Sequence, residues 1–392
     1  STRADQLNAP TARSTTVRRN KGQVCEQNTT TTSRIPKRGP LYPAGFFRMA
    51  PVTVAVNGFG RIGRLVFREL FQYPDVFDVK LVNDIAPVES SAYLAKFDSV
   101  HGTWAAEVDI EDGNMAVTTT DGKKTVVKYS VTDTPAKIPC EGIDLILECS
   151  GKFLTRDTLQ PFFDKGAKKV VVSAPVKDAD PVLNIVYGCN HDKYDPAVDH
   201  IVTAASCTTN CIAPVVKVVL DKIGIVHGCI TTCHNITNTQ TVLDAPNHKK
   251  SDLRRARSGL VNLAPTSTGS ATAIALIYPE LKGKLNGLAI RVPLTNSSIT
   301  DCVFEVKRKT SVEEINTLMK EASQTYLKDI LGYEERPLVS TDYVNDRRSG
   351  IVDAACTQVI DDTMVKLYVW YDNEFGYSMR MVDVAKMVVE KM

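Results

Sequence analysis

The 392-residue chain contains no uninterrupted apolar run of the roughly 18 residues that a membrane-spanning helix needs, so a soluble protein with no membrane partner is expected. It also lacks an excess of one charge. With a formal net charge of +2 it presents no global basic field, and no dedicated nucleic-acid binding is expected. Internal repeats are absent. Cysteine is not scarce, at ten, but ten in a chain this long do not make a disulfide scaffold. Free thiols in a reducing compartment, most of them buried and inert, are the expectation. Metal-site spacing is missing too. "CITTCH" at 229–234 offers Cys229, Cys233 and His234, but C-x-x-x-C is neither a zinc knuckle nor a haem attachment site. No metal is expected.

The composition is that of a globular protein, 43% hydrophobic and 23% charged, and the length suits two domains. Charge is unevenly placed. Residues 1–48 hold nine Lys or Arg against two acids, a net +7, which leaves −5 on the rest. That stretch has neither a helical nor a strand period and includes "NTTTTS". Rich in Arg, Ser and Thr and poor in acids, it reads as an organellar targeting segment for a plastid or mitochondrion, with a disordered extension as the plain alternative. Without such targeting the protein would be cytoplasmic. The folded part is expected to open at Met49.

"VTVAVNGFGRIGRLVFRELF" then places a β-branched strand (Val52, Val54, Val56) before an apolar helix (Leu65, Phe67, Leu70). Between them Gly58, Gly60 and Gly63 stand in G-x-G-x-x-G spacing. The three positions suit a tight turn, close approach to a pyrophosphate, and close helix–strand packing. The helix N-terminus beyond offers unpaired N–H groups to phosphates. Asp84 follows at the end of the next strand, where a carboxylate can accept from adenosine ribose hydroxyls. This context favours dinucleotide binding over a structural turn. "GNMAVTTTDGKKTVVKYS" reads as a hairpin turning at Asp121-Gly122. "IDLILECSG" and "AKKVVVSAP" read as buried strands flanking a helix at "LQPFFDKG", hence a mostly parallel sheet. "CSGKF" lacks the first glycine and the hydroxyl residue of a phosphate loop. Beyond residue 207 the strands alternate ("GLAIRVPL", "TDCVFEVKR", "MVKLYVWYD"), with a helix at "SVEEINTLMKEASQTY", implying a second, mostly antiparallel α+β domain. The last segment is an amphipathic helix.

"TAASCTTNCIAP", residues 203–214, lies at that junction. Apolar residues from Ile212 to Ile223 recur at helical spacing, so Cys207 falls near a helix N-terminus, where dipole and N–H groups favour a thiolate. Pro214 is tolerable there only within the first turns. Cys211, one turn in, reads as a small buried hydrophobe. His234 follows 27 residues later, room for a helix and a returning strand. That spacing permits an imidazole beside the thiol as base or ion-pair partner, or a merely structural histidine.

"NGFGRIGR", "SCTTNC", "DLRRAR", "PTSTGSATA", "RVP" and "WYDNEFGYS", in this order, resemble phosphorylating glyceraldehyde-3-phosphate dehydrogenase over residues 51–392. The resemblance implies an α/β fold with a Rossmann-like domain over 49–206, completed by a C-terminal helix in 373–392. It further implies a catalytic and tetramerisation domain over 207–372 and a homotetramer. By resemblance, the Cys207 thiolate attacks the aldehyde of glyceraldehyde 3-phosphate, hydride passes to the nicotinamide, and inorganic phosphate cleaves the thioester to 1,3-bisphosphoglycerate. His234 would depress the thiol pKa, take the hemithioacetal proton and steady the oxyanion. Thr237 and Arg291 would hold the substrate phosphate; Ser206, Thr208, Thr268 and Gly269 the attacking phosphate. Arg61 and Ile62 would line the pyrophosphate, Ser150 would lie near the cofactor, Asn373 would fix the carboxamide and Tyr377 would pack on the ring.

Pro246 matches the NAD-type residue of the family's cofactor loop, and Asp84 would repel a 2′-phosphate. NAD is therefore expected first and dual use with NADP second. Erythrose-4-phosphate dehydrogenase, which shares the cysteine and histidine but needs no phosphate, is the alternative activity. The basic run Lys249, Lys250, Arg254, Arg255 and Arg257 reads as lining a subunit interface near the cofactor, rather than as a nucleic-acid patch.

Overall fold

β-Branched residues build the centre of the first sheet. Val52–Asn57 lies between Phe77–Asp84 and Leu145–Glu148, parallel to both. Its alternation sends Val54 and Val56 to one core and Ala55 to another, so the sheet is covered on both faces. The computed structural model describes residues 50–246 and 252–392. The proposed targeting segment, Met49, Lys249 and Lys250 lie outside the described residues.

Ala50–Met392 form one compact unit built on two sheets. The first has nine strands. From Lys124–Val131 across to Leu183–Asn184 every pairing is parallel, as expected. The hairpin of Asn114–Thr118 with Lys124–Val131 turns through Gly122 (φ 85°), as the Asp-Gly pair predicts, and Glu107–Glu111 adds an antiparallel edge. One face carries the helices Arg61–Leu70 and Phe375–Glu390. Tyr377, Met381, Val382, Val384, Ala385 and Val388 of the last helix are buried in the core of this first sheet. Leu159 and Phe162 of Arg156–Asp164 cover the other face.

The second sheet has eight strands and is mixed. Most pairings are antiparallel, but Ile225–His234 runs parallel to Leu285–Arg291, and Leu331–Glu334 parallel to Gly350–Asp353. The first exception matters for chemistry, because its register sets His234 opposite Arg291. Helix Cys207–Lys222 follows the first sheet's Ile201–Thr203 strand and is buried almost throughout, with Val215, Val216 and Val219 in the second core. Pro214 lies inside this helix rather than at its start.

Two of the motif's glycines are held to glycine by the backbone around them. Gly58 has φ 91°, and a Cβ there would stand 2.4 Å from the Ser150 Cα. A Cβ on Gly63 would stand 2.0 Å from the Gly58 carbonyl oxygen, backbone that has nowhere to retreat. Gly60 meets nothing within 4 Å. Gly63→Ala is therefore expected to lower stability by about 1–3 kcal/mol through overpacking. Gly60→Ala, whose backbone (φ −69°, ψ −161°) an alanine adopts freely, should leave the melting temperature within a degree or so and weaken only cofactor binding. Thermal melts and NAD titrations of both variants test this division. Equal melts for the two would contradict it.

Candidate active site

The chain enters the Cys207 helix through Ala205, a non-glycine residue at φ 54°. The left-handed conformation costs such a residue roughly 1 kcal/mol. It is held by its own N–H to Thr203 Oγ1 (3.0 Å) and by Tyr377 Oη donating to its carbonyl (3.3 Å). Strain of this kind concentrates where geometry matters for chemistry. Ser206 then caps the helix, its Oγ accepting from Thr209 N–H at 3.2 Å. Cys207 is the first helical residue.

The strand returning from that helix ends at His234, whose Nε2 lies 3.7 Å from Cys207 Sγ. Nδ1 meets both the Asn235 carbonyl (2.9 Å) and Arg291 Nη1 (2.7 Å). These contacts demand opposite ring protonation. When Arg291 donates to Nδ1, the ring proton sits on Nε2, facing sulfur. When Nδ1 donates to Asn235, Nε2 is free to accept the proton of Cys207. Burial pushes the Cys207 thiol up, opposed by the Arg291 guanidinium and Thr208. Burial and then Arg291 push His234 down, to about 3. The helix N-terminus predicts a ready thiolate. Desolvation acts against it, pushing the thiol up and the imidazole down, each toward its neutral form. A neutral imidazole is what a general base must be.

Arg291 is paired with a second cation. Burial and then the Arg255 guanidinium lower its pKa, and its buried Nε has no hydrogen-bond partner in the protein. Arg255 is itself buried and donates to Thr239 Oγ1 at 2.9 Å. Thr237 Oγ1 meets Thr239 Oγ1 at 2.9 Å and donates to Gln240 at 3.1 Å. Two like charges held beside three side-chain donors favour an anion between them. Sequence reading placed Arg255 only within a basic run at a subunit interface, not beside Arg291. It lies mid-run in "DLRRAR", and only the fold separates it from Arg254 and Arg257, which instead bond Pro265 O and Asp244.

A second group of hydroxyls adjoins the thiol. Ser206 Oγ lies 3.1 Å from Ser270 Oγ, which accepts from Thr268 Oγ1 at 3.1 Å. Gly269 caps the helix Ser270–Ile277 that follows. Thr208 departs from expectation. Its buried hydroxyl faces inward to Tyr371 Oη at 3.0 Å, and Tyr371 reaches Thr232 at 2.8 Å.

At the glycine loop, Asp84 accepts from Phe59 N–H (2.6 Å) and Ala86 N–H (2.9 Å). Beyond it a cavity of about 590 Å³ is lined by Ile85, Ser130, Thr132, Asp133 and Lys137. It opens where two parallel strands end, the usual place for an adenosine. Ser150 sits under Gly58, its N–H donating to the buried Glu148 at 2.7 Å. Asn57 also donates to Glu148, and burial raises that carboxyl to about 7. Ile62 is half-buried against the first core. Arg61 opens the helix that follows the loop. Its guanidinium turns from the loop to Glu374 (2.6 Å) and to Asp98, so only its backbone N–H remains for a pyrophosphate. Asn373 is buried, its Oδ1 accepting from Ser298 Oγ at 3.2 Å. Among the described residues no cluster of His, Cys, Asp and Glu could hold a metal ion.

Two family models match the chain: the NAD binding domain of glyceraldehyde 3-phosphate dehydrogenase over residues 52–156 and its C-terminal domain over 206–373. The chain is 56% identical to glyceraldehyde-3-phosphate dehydrogenase 3 of Nostoc sp., over 86% of this chain and 98% of that protein. It is 47% identical to the glyceraldehyde-3-phosphate dehydrogenase of Geobacillus stearothermophilus, over 87% and 99%. With glyceraldehyde-3-phosphate dehydrogenase 1 of Bacillus subtilis the identity is 46%, over 87% and 99%.

Proposed function

The chain belongs to the glyceraldehyde-3-phosphate dehydrogenase family, and from that premise we propose which of its residues carry the reaction. The enzyme oxidises glyceraldehyde 3-phosphate and phosphorylates the product, with NAD as cofactor. The observation that carries the assignment is the Cys207–His234 contact of 3.7 Å, flanked by two guanidiniums.

Cys207 attacks the aldehyde carbon while His234 Nε2 takes the thiol proton. The substrate phosphate draws Arg291 and Arg255 to itself, with Thr237 as a further donor. That leaves His234 Nδ1 to Asn235 and Nε2 free as base. The imidazolium returns that proton to the new oxyanion, and the neutral His234 so regenerated takes it back from the hemithioacetal hydroxyl as hydride leaves. NAD, when bound, accepts that hydride. Ser206, Thr268 and the Gly269 backbone hold inorganic phosphate for attack on the thioester at Cys207, with Thr208 contributing its backbone. Gly58, Gly60, Gly63 and the N–H groups of Arg61 and Ile62 cradle the pyrophosphate. Asp84 takes the adenosine ribose, Ser150 borders the cofactor, and Asn373 and Tyr377 place the nicotinamide. The cofactor part spans 49–206 with the terminal helix, and the catalytic part 207–372.

We further propose a homotetramer. Val242, Leu243, Leu253, Val261 and Leu263 are all at least 66% exposed within one short span, an apolar surface of the kind that subunits cover. The acid-poor residues 1–48 support organellar targeting; cytosolic fluorescence of a reporter carrying them would overturn it. NADP is a lesser cofactor, repelled by Asp84.

Steady-state assays test the whole. NADH formation is expected with the triose phosphate, NAD and phosphate together, and should fall to baseline without phosphate. Turnover that persists without phosphate would assign the chain to the erythrose 4-phosphate activity. A kcat/KM with NADP equal to that with NAD would remove the role given to Asp84.

A further inference from the structure

Asn373 sits between two carboxylates, Asp372 and Glu374, and a single imidazole faces both. His101 belongs to the loop after Asp98, far away in sequence, yet its side chain is 1% exposed. Its Nε2 lies 2.9 Å from Glu374 Oε2, its Nδ1 2.7 Å from Asn345 Oδ1 and 4.0 Å from Asp372 Oδ2. Both ring nitrogens thus face oxygen acceptors, an arrangement that an imidazolium satisfies in full. We propose that His101 is a positioning residue for the nicotinamide end of the cofactor, locking the segment that carries Asn373 to the glycine loop.

The lock is a closed circuit. Arg61, first residue of the glycine-loop helix, donates to Glu374 (2.6 Å) and to Asp98 (3.1 Å). Asp98 in turn accepts from the N–H groups of Val100 and His101, each at 2.9 Å. Asp372 accepts from Asn345 N–H (2.8 Å), Glu374 N–H (2.9 Å), Phe375 N–H (2.7 Å) and the Asn296 amide (2.8 Å). That ties the start of the terminal helix to the 345 loop. Arg64 and Arg68 face Asp98 from the same helix as Arg61, and Arg347 lies over the Phe375 ring.

Within the circuit, Arg61 and a charged His101 stand among Asp98, Asp372 and Glu374. A neutral His101 would leave those three carboxylates to Arg61 and more distant cations, a poor arrangement in a dry interior. Burial alone would lower the His101 pKa; the hydrogen bond to Glu374 and the charge of Asp372 outweigh it and raise it. The charge is therefore present below that raised value and lost as pH climbs through it. With it goes the hold on both neighbours of Asn373.

The inference rests on Asn373 meeting the nicotinamide, as proposed above. The experiment compares NAD with ADP-ribose, which lacks the nicotinamide, by titration calorimetry on the full chain from pH 6 to 9. In the unaltered protein, NAD affinity should fall relative to ADP-ribose as pH rises. His101→Gln should weaken NAD roughly tenfold at low pH, the scale of one charge-assisted hydrogen bond, leave ADP-ribose unchanged, and flatten the pH dependence of their ratio. Equal losses for the two ligands, or a pH-dependent ratio that survives in His101→Gln, would overturn the proposal. The unaltered protein's pH series stands even if the variant folds poorly. A flat ratio there is also fatal. If Asn373→Ala leaves NAD binding intact while the His101 results hold, the reading of Asn373 fails instead.

Discussion

Cys207→Ser is expected to lower phosphate-dependent NADH formation by roughly 10⁴-fold or more, the scale of removing a covalent nucleophile. The hydroxyl would occupy nearly the place of the thiol at the helix start, so the fold should survive. Chemistry fails because a serine hydroxyl is much less acidic than a thiol. His234, whose affinity for a proton burial and Arg291 have already weakened, is a poor base toward it. NAD binding should be unchanged, since Cys207 makes no part of the glycine loop. Activity above about one percent with normal NAD binding would exclude Cys207 as the acylated residue.

His234→Asn should reduce kcat by about 10²–10⁴-fold, the usual contribution of a positioned general base. It should also change the pH dependence of thiol alkylation. The rate follows the thiolate fraction and so rises with pH through the thiol's own pKa. Burial places that value high, and Arg291 pulls it down. Removing the imidazole takes away the group that accepts the proton, so the alkylation midpoint should move to higher pH. Iodoacetamide inactivation followed from pH 5 to 10 in both proteins measures the shift. Superimposed profiles would mean that His234 does not handle the proton of Cys207.

Both expectations depend on a contact that was only half legible in the sequence. Helical spacing after Cys207 identified the helix N-terminus, and 27 residues allowed a returning strand. Neither could show that this strand runs parallel to Leu285–Arg291 in a register that sets Arg291 against the imidazole. Strand pairing across some sixty residues is decided by the whole sheet. The turn and packing of the glycine loop were legible because their constraints are local: Gly58 acts on the backbone of the adjacent strand's end and Gly63 on that of Gly58. Where the Arg61 guanidinium goes was not legible, for the opposite reason: its partner Glu374 lies 313 residues away. The desolvation that opposes a Cys207 thiolate was not legible either, because a helix terminus can be read from sequence and burial cannot. His101 left no signal at all, since a lone histidine in a loop becomes a buried clamp only when the terminal segment closes over it.

That terminal segment has a consequence for how the protein is made. The helix Phe375–Glu390 is synthesised after every strand of the second sheet, yet it fills the core of the first. The half that emerges early from a ribosome therefore cannot finish its interior until the later half has been translated. Until then the surface that receives Met381, Val384, Ala385 and Val388 remains exposed to water. A nascent chain stalled before residue 375 should bind apolar dyes and holding chaperones on a face that the finished protein hides.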